Sequence, residues 1–261
     1  MSQLYLNNED YENHKEYEAN KKKQIVLYNS NNQLNVEDIV LNTTLKEMQT
    51  GDIILFSGRH SIISSIIKWW TNSYYSHIGI VLVNPKIYDD NIFKELKGIY
   101  LLESGYENID DADEHIRKFG VQIVPLNKVI KKYNGTVFWR KLNTERCKLS
   151  SSEINNHISQ IYKNIRHKPY DLNLVDLLCS SLKIFMPITI YRYAFLNWFV
   201  VDKQKQDRFV CSALVAYVYT MMDFLPSFTN WTECIPKFFS TENPNLQLSR
   251  GVYLEPEKKI K

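Results

Sequence analysis

The stretch Arg208–Phe224, RFVCSALVAYVYTMMDF, decides the fold. Leu214, Val215, Val218, Met221 and Met222 fall at helical spacing, and Ala213, Ala216 and Tyr217 leave no clearly polar face. The segment therefore reads as a helix buried at the centre of a domain. Phe209-Val210 looks extended, which places Cys211 and Ser212 on the first turn of that helix. A thiol there meets unpaired backbone N–H groups and the positive end of the helix dipole, both of which favour the thiolate. A lone cysteine on an apolar helix is nevertheless more often a small buried hydrophobe. A nucleophilic reading requires a base and an orienting group elsewhere in the chain.

Two strands offer them. In His77–Val83, HIGIVLV, the residues Ile78, Ile80 and Leu82 share one face and His77, Gly79, Val81 and Val83 the other. A polar, proline-containing loop from Asn84 to about Lys97 separates it from a second strand, Gly98–Ser104, GIYLLES. If the two pair as a long-looped hairpin with Val83 opposite Lys97, His77 falls opposite Glu103. Opposed residues of an antiparallel pair share a face, with Cβ atoms about 5 Å apart. An imidazole beside a carboxylate, with a thiol at a helix start, is the set a cysteine nucleophile needs: a base, and a group that fixes the base's tautomer.

Around this nucleus the chain alternates helix and strand. Asp52–Phe56 is a short buried strand preceded by a short helix over 44–48. Ser61–Trp70 suits a helix, 105–119 is acidic loop, and Val121–Leu126 and Thr136–Leu142 are strands separated by a short basic helix or turn. Ser150-Ser-Ser-Glu153 is a capping box that opens an amphipathic helix through Ile154, Ile158, Ile161, Tyr162 and Ile165. Leu172–Val201 is a hydrophobic insertion that reads as two helices around Pro187, and a short helix is expected near Ile235–Phe239. The expected organisation is a polar arm over 1–35, an α+β domain over 36–245 containing the 172–201 insertion, and a tail over 246–261.

A composition of 44% hydrophobic and 23% charged residues is that of a folded globular protein. A net charge of +3 is too small to argue for nucleic acid. The cysteines, at 147, 179, 211 and 234, contain no C-x-x-C pair, which argues against a zinc site or a disulfide framework and for a reducing compartment. The acidic N-terminus has no signal-peptide character, and no uncharged apolar run reaches about 18 residues. The localisation expected is intracellular.

Six pieces of this chain, in order, resemble the circularly permuted NlpC-type papain-like hydrolases of bacteria and large DNA viruses, poxviruses included. They are GDIILF (51–56), YSHIGIVL (75–82), LLES (101–104), TVFWRKL (136–142), KPYD (168–171) and FVCSALVAYVY (209–219). The resemblance covers roughly residues 45–240. It implies a permuted papain-like fold with Cys211 as nucleophile, His77 as base and Glu103 as orienting acid. It also implies Tyr170 near the site, where its hydroxyl can assist the oxyanion. For a viral member the location would be host cytoplasm or a virion. Two departures stand out: Ala213 lies where many relatives carry Glu, and the 40 residues between Tyr170 and Cys211 are longer and more hydrophobic than expected of the family.

The activity expected is a thiol hydrolase of peptidase or amidase type that passes through an acyl-enzyme at Cys211. Acyl transfer or hydrolysis on lipids, of the lecithin:retinol acyltransferase kind, is the alternative, and a silent virion or scaffold protein that retains the fold is a third reading. The partner is a peptide, amide or acylated substrate, with no nucleic acid. Residues 172–201 would bury themselves as a lid, against a second copy, or on a membrane surface. No metal or organic cofactor is implied. Among other candidates, His60 reads as a helix-start polar residue, and His115, His157 and His167 as exposed. Cys147, Cys179 and Cys234 read as structural, Asp171 as a turn cap and Arg140 as an ion-pair partner.

Overall fold

The computed structural model describes residues 36–59, 62–89, 92–171 and 208–261. The arm over 1–35, His60, Cys179 and the 172–201 insertion lie outside the described residues. Residues 1–46 and 47–261 form two compact units. The described part of the first is helix α1, Val36–Glu47, whose last residue falls in the second unit. Everything that follows concerns the second.

Its architecture is α+β. Six strands form one sheet in the order β10-β7-β1-β2-β5-β6, with every neighbouring pair antiparallel. The strands are β1 (Ile53–Gly58), β2 (His77–Val83), β5 (Ile99–Gly105), β6 (Gly120–Pro125), β7 (Gly135–Arg140) and β10 (Lys258–Lys259). Helices α2 (Ile62–Thr71), α3 (Leu126–Lys132), α4 (Ser151–Ile165) and α5 (Cys211–Met221) surround it. β1 is buried along its whole length, which explains why IILF is a continuous apolar run rather than an alternating one.

The two sheet faces carry different helices. Ile53, Leu55, Ile78, Ile80, Leu82, Leu102, Val121 and Ile123 form one core with α4 and α5. From α4 come Ile154, Ile158, Tyr162 and Ile165, and ten of α5's eleven residues are buried. The opposite face carries Ile54, Phe56, Val81, Leu101, Val124 and Val137, all buried, and α3 lies alongside β5 and β6 with Leu126, Val129 and Ile130 buried. The capping box of α4 forms as its sequence requires, with Glu153 N donating to Ser150 Oγ and Ser150 N to Glu153 Oε2.

Two segments differ from expectation. The Asn84–Lys97 loop contains a hairpin, β3 (Lys86–Asp89) with β4 (Ile92–Glu95), that packs against α4. Its few apolar residues among charged ones left no alternation long enough to read. Residues 246–261 are not a tail. β9 (Tyr253–Leu254) pairs with β8 (Leu142–Asn143), and β10 adds the sixth strand beside β7. Arg140 explains how so polar a segment is held. It is buried, and instead of an ion pair it donates to three carbonyls, those of Phe239, Leu254 and Glu255, at 2.7–2.9 Å.

Candidate active site

β2 starts at His77 and β5 ends at Gly105, so the two meet at one end of the sheet. Their register runs from Ile80 opposite Leu102 to Val83 opposite Ile99. Continued along the strands, it sets His77 opposite Gly105 and Gly79 opposite Glu103. The expected register, with His77 facing Glu103 directly, is therefore two residues off. A shift of two preserves the face, because side chains alternate with period two. His77 and Glu103 still share a surface, as diagonal neighbours.

Gly105 makes that diagonal usable. A Cβ there would stand 3.2 Å from His77 Cε1, so the missing side chain leaves the imidazole room over the strand end. From that position His77 Nε2 meets Glu103 Oε2 at 2.5 Å. The carboxylate is wholly buried, and its other oxygen accepts from Gln122 Nε2 at 2.9 Å. Gln122 sits opposite Glu103 on β6. Both carboxylate oxygens thus have a donor, as a buried charge demands. Phe56, opposite His77 on β1, backs the imidazole with ring centroids 5.4 Å apart, and Tyr133 packs against Phe56 at a tilt in turn.

Cys211 reaches this place from the other side of the sheet. Its helix packs on the Ile78–Ile80 face, whereas His77 and Glu103 project from the opposite one, so thiol and imidazole meet around the strand ends. The lead-in is anchored at several points. Ser104 Oγ donates to Phe209 O at 2.7 Å, Phe209 N to Pro169 O, and Asp171 N to Phe209 O. Residues 168–171 bridge back to β6 through Val121 N to Lys168 O and Tyr170 N to Phe119 O. That crossing is so close that a Cβ on Gly120 would stand 2.5 Å from Lys168 O. KPYD is therefore a brace between β6 and the start of the Cys211 helix.

The electrostatics bind the three groups together. Burial alone would lower the imidazole pKa of His77. The charge and hydrogen bonding of Cys211 and of Glu103 outweigh it and hold His77 well above its usual value. With Nε2 committed to Glu103, Nδ1 is the ring atom left for the thiol. The N-cap of α5 is Val210, which supplies no side-chain hydrogen bond, so the first-turn N–H groups have no capping side chain. Tyr170 is half-buried and stacks on Phe119 at 4.5 Å. Burial, then the charges of Cys211, Asp171 and Glu103, raise its pKa, so it stays a neutral phenol and a hydrogen-bond donor.

The residues singled out in the sequence as Cys211, His77, Glu103 and Tyr170 thus converge. Four further neighbours of these groups were not singled out. Gln122 carried a faint signal, a lone polar residue inside the strand GVQIVP. Tyr133, Phe56 and Glu107 carried none, since their relevance arises only from packing. Tyr133 bonds with Ser76, and burial leads the causes that raise its pKa. The other histidines among the described residues stay apart: His115 contacts Lys94, His167 contacts Glu114, and both are exposed, as is His157. Cys147 and Cys234 point their thiols at the carbonyls of Thr144 and Asn230, and burial pushes Cys234 up to about 12.

No family model and no curated protein matches the chain. Among solved structures it is similar to the metalloprotein yiiX from Escherichia coli O157:H7, with 24% identity and a TM-score of 0.37. The similarity covers 66% of this chain and 65% of that one.

Proposed function

We propose that this protein is a thiol hydrolase on a permuted papain-like, NlpC-type fold, with Cys211 as nucleophile, His77 as general base and Glu103 as the orienting acid. The observation that carries the reading is the imidazole held between two partners, with Nε2 bonded to a buried carboxylate and Cys211 acting on the same ring. An imidazole whose pKa is raised is a stronger base for the thiol proton. His77 Nδ1 takes that proton as Sγ attacks the carbonyl carbon of a peptide or amide bond. The oxyanion is stabilised by the uncapped N–H groups of α5, with the Tyr170 phenol as a second donor. Collapse breaks the C–N bond, and the leaving amine takes the proton from His77. Water, deprotonated by His77, then attacks the thioester and releases the carboxylic acid and the free thiol.

Competitive alkylation of the native protein by iodoacetamide, mapped by peptide mass, tests this. Cys211 is expected to react at least about tenfold faster than Cys147, Cys179 or Cys234, and His77→Ala is expected to abolish the difference without unfolding the chain. Equal labelling of all four thiols, or none at Cys211, overturns the reading.

A further inference from the structure

Glu107, two residues beyond the end of β5, has no place in that chemistry, yet it faces it. Its carboxylate, the Glu103 carboxylate and a His77 ring nitrogen all lie within 4.8 Å of one another. Among the described residues Glu107 makes no side-chain hydrogen bond or ion pair, although it is partly buried. Burial, and then the charge of Glu103, push its pKa up to about 7, against the opposing pull of His77 and Lys132. Two carboxylates and one imidazole share a small space with only one hydrogen bond among them.

We propose that His77 Nε2, Glu103 and Glu107 form a site for a divalent transition-metal ion of the zinc class, and that the ion switches off the thiol chemistry proposed above. The proposal rests on that reading for its consequence but not for its ligands. Tetrahedral zinc, with N and O ligands at about 2.0–2.1 Å, has ligand atoms about 3.3 Å apart. The His77–Glu103 distance of 2.5 Å would open by less than about 1 Å, and Glu107, within 4.8 Å of both, would close by no more than about 1.5 Å toward that edge length. Glu103 is already oriented by Gln122, the kind of outer hydrogen bond that holds a ligating carboxylate. A mixed imidazole and carboxylate set suits zinc or its neighbours better than calcium or magnesium, which take oxygen ligands.

A second such group among the described residues shows the contrast. Asp111, Asp113 and Glu114 are also within 4.8 Å of one another. Their oxygens are already occupied by Ile123 N, Glu114 N, Tyr162 Oη and Lys118, with Arg166 3.8 Å from Asp113. That group is an internal staple. Glu107 has no such partners.

The inhibitory effect follows from proton bookkeeping. In the free site Nε2–H faces Glu103, and Nδ1 takes up and returns the proton of the thiol. With the ion on Nε2, the ring's proton moves to Nδ1, and no lone pair remains to accept from Cys211.

The test is calorimetric titration of zinc chloride into the full-length Cys211→Ala protein, which removes the thiol as a ligand. One ion per chain is expected. Glu107→Gln or His77→Ala in the same background should weaken binding at least tenfold. In the wild-type protein, zinc should slow Cys211 alkylation with the same midpoint, and a chelator should restore it. No binding to the Cys211→Ala protein, or equal binding after Glu107→Gln, overturns the site. Neither result depends on whether Cys211 is selectively alkylated, so the metal site and the hydrolase reading fail separately.

Discussion

Gln122 is the residue through which the candidate site is held rigid. Its amide closes the second oxygen of a carboxylate that is wholly buried, and the first oxygen is given to His77. Removing the amide leaves a buried charged acceptor short of one donor, at a cost of about 1–3 kcal/mol. Gln122→Leu is therefore expected to lower the melting temperature by several degrees and to slow Cys211 alkylation several-fold, with the fold retained. Thermal denaturation and mass-mapped labelling of one preparation check both. A variant that loses stability but keeps full thiol reactivity would show that Glu103 orients nothing.

At the scale of elements, the brace formed by residues 168–171 fixes where α5 begins. It succeeds because β6 opens with Gly120, whose φ of +153° and missing Cβ let the Lys168-Pro169 backbone cross against it. The obstructing atoms are backbone, Lys168 O at 2.5 Å and Pro169 Cα at 2.9 Å from a built Cβ, so they cannot swing aside as a side chain would. Gly120→Ala should destabilise by about 2–3 kcal/mol. It should also displace Tyr170 and Phe209, so that Cys211 reactivity drops further than Gln122→Leu causes. Denaturant midpoints with parallel alkylation rates measure the pair. A Gly120→Ala protein with a wild-type midpoint would show that the crossing is loose.

For the molecule as a whole, Asp52 ties the start of β1 to β7 and β8. It is wholly buried and accepts from Gln49 N, Leu142 N and Trp139 Nε1 at 2.7–3.0 Å. Burial outweighs these donors and raises its pKa from 3.8 to about 6. The folded protein therefore binds this proton more tightly than the unfolded chain does. The associated stability is fully present below about 3.8 and is lost as pH rises through about 6. The loss amounts to about 3 kcal/mol by linkage. Asp52→Asn removes the titration and turns an amide N–H₂ toward backbone or indole donors, so it destabilises at every pH. Its penalty relative to wild type should shrink by about 2.4 kcal/mol between pH 4 and pH 7. Urea midpoints of the two proteins across that range provide the measurement, and a constant gap would mean that Asp52 titrates normally in the fold.

The sequence by itself determined the central helix, the strand pair that bears His77 and Glu103, the capping box of α4 and the α+β class. These features depend on periodicity and on neighbours a few residues apart, and an uninterrupted apolar run such as LVAYV has few ways to fold. Tertiary structure decided the rest. The two-residue shift between β2 and β5 is set by the strands' own pairing, which the assumed loop mouth at Val83 and Lys97 did not specify. Arg140 looked like half of an ion pair, because its three acceptors are carbonyls of residues 239, 254 and 255, about a hundred positions away. Residues 246–261 read as a tail for the same reason, since their strands exist only where β7 and β8 offer an edge. Glu107 was invisible among the acids of its loop. What distinguishes it is a shortage of partners, and a sequence records which groups a residue carries but not which of them the fold leaves unmet.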